Sequence, residues 1–204
     1  MNIEPMPDKT KKYGLNLLIL CQNQFGYHID TYFYCKYLSN LHNVTYLCWE
    51  YSKPKQAMDG VRIVYVSRAG NILVRNLRYI LAALSYLRRH CVDICFIKYF
   101  RGCSILRLVF PWKKFVFDIR TGYIKQNILS GLVYDFFLRI ESIFFSHVTI
   151  ISISLAKKLK LQKKSSLLPL GSIQLSDTIK DFFKIKLLYV GTLSNRQIEK
   201  TIQG

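Results

Sequence analysis

The chain has 204 residues, half of them hydrophobic, with 30 Lys and Arg against 12 Asp and Glu and a formal net charge of +18. This supports one substantial core with room to begin a second. The charge excludes a neutral, inert surface and favours anionic partners: nucleic acid, acidic lipid headgroups or phosphorylated substrates.

Residues 1–14 carry two prolines and mixed charge and read as a loose tail. Lys9, Lys11 and Lys12 ahead of the apolar run 15–21 imitate a secretion signal. That run is short, however, holds Asn16 and puts bulky Leu20 where cleavage needs a small residue. It is therefore predicted as a first strand, followed by a helix over 29–41 and strands over 44–49 and 61–66. From Leu73 onward, Leu77, Ile80, Leu81, Leu84 and Leu87 recur at helical spacing with Arg75, Arg78 and Arg89 opposite, which predicts a helix with one core face and one basic face. A strand over 94–97, a short helix over 104–109 broken by Pro111, and a strand over 115–117 follow. The next helix carries the stripe Leu129, Leu132, Val133, Phe136, Phe137, Ile140, Ile143 and Phe144, predicted as core, with Asp135 and Arg139 as an i,i+4 pair outside it. Then come a strand over 148–151, Ser152 as N-cap of a helix carrying Leu155 and Leu159, and a strand over 167–168 ending at Pro169.

Apolar strands alternating with helices predict an α/β fold: a Rossmann-like, mostly parallel sheet with helices on both faces. Residues 171–185 are polar and patternless and read as a linker, so 15–170 forms one domain and 186–204 begins another. The six cysteines, at 21, 35, 48, 91, 95 and 103, lack the paired spacing of zinc ligands and read as buried thiols in a reducing compartment, with no metal or cofactor predicted. The longest uncharged window, 142–156, is shorter than the about 20 residues a membrane-spanning helix needs, so no transmembrane segment is predicted.

Ligands bind such sheets at the carboxyl ends of the strands, which singles out two loops. In QNQFGYHID, residues 22–30, Gly26 lets a backbone approach a ligand and His28 can donate to it or accept from it; an ordinary βα turn with a surface histidine would look the same. In DIRTG, residues 118–122, an acid, a guanidinium and a hydroxyl cluster beside a glycine at a strand end. The alternative there is a structural Asp118–Arg120 ion pair. At the end of the chain, KLLYV over 186–190 runs into Gly191, Thr192, Leu193 and Arg196, the pattern that opens a phosphate-cradling βα unit.

Ser152 after VTII, the following SLAKKL, LLPLGS over 167–172 and LLYVGTLSNR over 187–196 together resemble the middle of a family-four glycosyltransferase of the GT-B fold. Glu141, ahead of Ser146 and His147, matches a glutamate that family often carries in the preceding helix. The likeness is strongest from Asp118 onward. It implies that 15–170 is the N-terminal, acceptor-binding half of two facing Rossmann-like domains, and that hexosyl transfer from a nucleotide-sugar donor to a saccharide or lipid-linked saccharide acceptor takes place between them without a bound metal. Carried over by position, Asp118 and Arg120 are the catalytic candidates, Gly26, His28, Thr121 and Gly122 would bind acceptor, and Gly191, Thr192 and Arg196 would begin the donor diphosphate site. Most of the donor pocket lies beyond the matched residues, so the 204-residue polypeptide alone is expected to show no transferase activity.

Between Lys98 and Lys125, basic residues interleave with Tyr99, Phe100, Leu106, Phe110 and Trp112, a mixture suited to an anionic bilayer surface. A cytoplasmic chain, peripheral at the inner face of the cell membrane, is the corresponding expectation; a plain solvated basic face is the alternative. A nucleic-acid binder is disfavoured, because the basic residues are spread out and no helix-turn-helix, zinc or RNP-like motif is present. A non-enzymatic remnant or partner subunit keeping only the acceptor half is the other reading.

Overall fold

The structure, a computed structural model, describes residues 14–122 and 128–169. In chain order the elements are β1 (Asn16–Leu20), α1 (Ile29–Leu38), β2 (Asn43–Glu50), β3 (Val61–Ser67), α2 (Ile72–Arg89), β4 (Ile94–Lys98), α3 (Ser104–Val109), β5 (Lys114–Ile119), α4 (Ile128–Ile143), β6 (His147–Ile150), α5 (Ile153–Leu159) and β7 (Ser165–Leu167). The strands form one seven-stranded sheet in the order β3-β2-β1-β4-β5-β6-β7, and every neighbouring pair is parallel. This is the Rossmann-like α/β architecture expected from the sequence. The chain steps outward from β1 to β3, crosses to β4, and steps outward again to β7. The order therefore reverses between β1 and β4.

Parallel strands joined by right-handed crossovers put a helix on one face when the chain moves one way and on the other face when it moves back. Accordingly, α1 packs with Leu17, Ile19, Cys21, Val44, Tyr46 and Cys48 on one side. The side chains of α2, α3, α4 and α5 pack with Leu18, Leu20, Cys95, Ile97, Phe117 and Ile150 on the other. Local chemistry fixes the helix ends. His28 Nδ1 accepts from Thr31 N–H at the start of α1, Asn71 Oδ1 from Val74 N–H at the start of α2, and Ser152 Oγ from Leu155 N–H at the start of α5, the last as expected. The first helix stops at Leu38, short of residue 41, where Ser39 caps it. The last strand covers Ser165–Leu167, earlier than 167–168.

The helix faces differ from the sequence reading. In α2 the buried residues are Tyr79, Ile80, Ala83 and Leu87, while Leu77 and Leu81 are exposed. The rotation follows Tyr79, whose hydroxyl donates to Leu47 O at 2.8 Å and whose ring meets Trp49 and Phe100 edge-on. In α4 the change is larger: the predicted core stripe points outward, with Leu129 74%, Leu132 64%, Phe136 60% and Ile143 65% exposed. Leu138, Glu141 and Ser142 face inward, with Phe145 just past the helix end stacked on Phe117 at a centroid distance of 4.7 Å. Asp135 pairs with Lys158 at 2.7 Å.

The basic stretch from Lys98 is also not the aromatic surface predicted, because Phe100, Leu106 and Phe110 are core residues and Trp112 is exposed. Of the six cysteines, Cys91 is exposed and the others are buried thiols. Among the described residues no helix is long and apolar enough to cross a membrane. Residues 1–13, the predicted linker and the residues expected to begin a second domain lie outside the described residues.

Candidate functional site

The register of the sheet builds a polar row at its carboxyl edge. Lys98 pairs with Asp118, Asp118 with Thr149, and Thr149 with Ser166. Successive strand side chains alternate between faces. Cys95, Ile97, Phe117, Ile119, Val148 and Ile150 belong to the core under α2 to α5, so Lys98, Asp118 and Thr149 face the α1 side. Arg120, two residues beyond Asp118, returns to that same side. The row stands beside the point where strand order reverses, which is where open parallel sheets bind ligands.

Asp118 has no exposed surface and both its oxygens are engaged. Oδ2 accepts from Arg120 Nε at 2.6 Å and Oδ1 from Thr149 Oγ1 at 2.6 Å. Arg120 Nη1 donates to Leu168 O at 3.0 Å, its Nε lies 4.0 Å from Asp30 Oδ2, and its guanidinium sits 5.2 Å from the Tyr34 ring centroid. Its Nη2 is buried, with no hydrogen-bond partner among the described residues. Lys98 Nζ donates to Asn23 Oδ1 at 2.8 Å, joining β4 to the loop after β1. The cluster thus unites His28, Asp30, Lys98, Asp118 and Arg120.

Burial pushes the Asp118 carboxyl up to about 7; Asp30 adds to the rise, while the Thr149 hydroxyl and Lys98 oppose it. Burial lowers Lys98, against the pull of Cys21, Asp30 and Asp118. His28 is held down at about 4, first by burial and then by Lys98 and Arg120, with Asp30 opposing. His28 is therefore neutral at pH 7. Because its Nδ1 accepts from Thr31 N–H, the proton resides on Nε2, and the ring offers a donor away from the helix.

No protein-family model and no curated protein matches the chain. The functional reading therefore rests on the geometry and on the motif resemblance. Of the site residues predicted from sequence, His28, Asp118 and Arg120 come together. Gly26, at φ +86°, lies against the Gln56 side chain, within the loop that Gln24 and Tyr27 tie to Pro54. Thr121 is exposed, and Gly122 sits toward Leu155, Asp135 and Lys158. Gly191, Thr192 and Arg196 lie outside the described residues. Asp30, Lys98 and Thr149 were missed. Their signal was available as strand-terminal and first-turn polar residues, ICFIK beside FVFD, which the sheet register aligns.

Glu141, matched by resemblance to a family glutamate, has a structural task. Its Oε1 accepts from Gly102 N–H at 2.8 Å, and its Oε2 accepts from Ser104 N–H at 3.1 Å and from Cys103 Sγ at 3.2 Å. It thereby caps the first turn of α3 from across the domain. Cavities of about 690 and 600 Å³ lie elsewhere, one against Leu87, Phe110 and Trp112, the other at the amino edge of the sheet around Asn16, Asn43 and His90.

Proposed function

We propose that the chain is the acceptor-binding half of a glycosyltransferase, which moves a hexosyl group from a nucleotide sugar to a hydroxyl of a saccharide or lipid-linked saccharide in cell-surface polysaccharide or glycolipid synthesis. The observation that carries this reading is the buried cluster at the carboxyl edge of β1, β4 and β5, in which Arg120 Nη2 has no hydrogen-bond partner among the described residues. An uncommitted guanidinium N–H, an ammonium and a neutral imidazole N–H are donors suited to hydroxyl and anionic oxygens. Asp118 is fully buried and is a positioning residue: it orients Arg120 and links it to Thr149. Arg120 and His28 would contact the acceptor.

Saturation-transfer NMR of the 204-residue chain with methyl glycosides and nucleotide sugars tests this reading. The expected result is glycoside binding that Arg120→Ala abolishes and Leu132→Ser leaves unchanged. Absence of binding to every sugar, or equal binding by the Arg120 variant, would overturn it.

A further inference from the structure

We propose that the outer face of α4 docks onto an anionic lipid bilayer. Leu129, Leu132, Val133, Phe136, Ile140 and Ile143 lie along it at three- and four-residue spacing and are all exposed. Contiguous exposed apolar surface on this scale marks a docking site.

The charges beside it choose the occupant. Arg101 lies 5.3 Å from the Phe137 ring centroid. Arg139, Lys158 and Lys160 line a groove of about 470 Å³ together with Leu132, Val133 and Phe136, and Lys164 Nζ reaches Ile143 O at 2.9 Å. Of the two acids on the helix, Asp135 is bound to Lys158 and Glu141 faces inward to cap α3. The face is therefore apolar along its crest and cationic along its flanks. An anionic bilayer complements both, because apolar side chains enter the acyl boundary while ammonium and guanidinium groups stay among the headgroup phosphates. A second copy would bring the same cations against one another. Residues 170–204 hold five basic and three acidic side chains, so the segment offers no net opposite charge. Since α4 begins just after the loop that carries Arg120, docking would hold the carboxyl edge of the sheet close to the lipid surface.

The test is vesicle flotation of the full chain with phosphatidylcholine alone and with phosphatidylcholine containing phosphatidylglycerol. Binding to the anionic vesicles is expected, weakening as salt rises. Replacing two crest residues, Leu129→Ser with Phe136→Ser, should lower vesicle affinity about tenfold, with circular dichroism unchanged because neither side chain is in the core. The flank pair Arg139→Glu with Lys160→Glu should lower it comparably and gives an independent reading if the crest pair unfolds. The proposal is overturned by absence of vesicle binding, by anionic binding that the crest pair leaves unchanged, or by a dimer in sedimentation equilibrium that the crest pair dissociates while vesicles stay unbound.

Discussion

Two buried carboxylates, Glu141 and Asp118, sit on opposite faces of the same sheet and do different work. Glu141 accepts from the Gly102 and Ser104 backbone N–H groups at the start of α3 and from Cys103 Sγ between them, so it is spent on that one turn. Asp118 accepts from side chains, and one of them, Arg120, keeps an unused N–H. A carboxylate that satisfies backbone holds a fold together, whereas one that satisfies a multivalent side chain positions that side chain for something else. The strand-end cluster DIRTG singled out Asp118 and the motif resemblance singled out Glu141; the hydrogen bonds separate them.

The sharpest way to break this contrast is Glu141→Ala. It leaves Gly102 and Ser104 N–H groups without their acceptor and opens a gap beneath α3, so a stability loss of about 3 kcal/mol is expected in urea unfolding. A loss below about 1 kcal/mol would remove the capping role. Asp118→Asn should cost less, about 2 kcal/mol, because the amide oxygen still accepts from one of the two partners and Asp30 still faces Arg120. Its defining outcome is weakened sugar binding, which Glu141→Gln should leave in place once folded protein is compared at equal concentration.

The smallest effect concerns His28. The unfolded chain takes up this proton near pH 6.5, whereas the folded chain takes it up near 4. The stability it confers is complete above pH 6.5 and is lost as the pH falls towards 4. The ring is partly exposed, so screening holds the effect to about 1 kcal/mol. Asn caps helices without titrating, so His28→Asn should flatten this segment of the pH–stability curve, as thermal melts at several pH values would reveal. A slope equal to that of the unsubstituted chain would place the titration elsewhere.

The strands and the alternation were legible in sequence because runs such as LLIL, ICFI and FVF are apolar on both faces and end at polar residues. The face of α4 was not legible. Apolar residues occupy nearly every side of that helix, so periodicity selects the longest stripe, while the actual orientation is set by Glu141 reaching α3 and Phe145 stacking on Phe117. The site was half legible. DIRTG announces itself within five residues, but Lys98 and Thr149 join it only through strand register, and Lys98 seemed part of a basic surface when read among its chain neighbours.

The most direct test of the central claim is to follow the His28 ring, the Arg120 side-chain N–H groups and the Gly102 amide by heteronuclear NMR while methyl glycosides and nucleotide sugars are added to the 204-residue chain. Shifts at His28 and Arg120 are expected, with the Gly102 amide unmoved. Saturating binding that leaves His28 and Arg120 unshifted would contradict that claim.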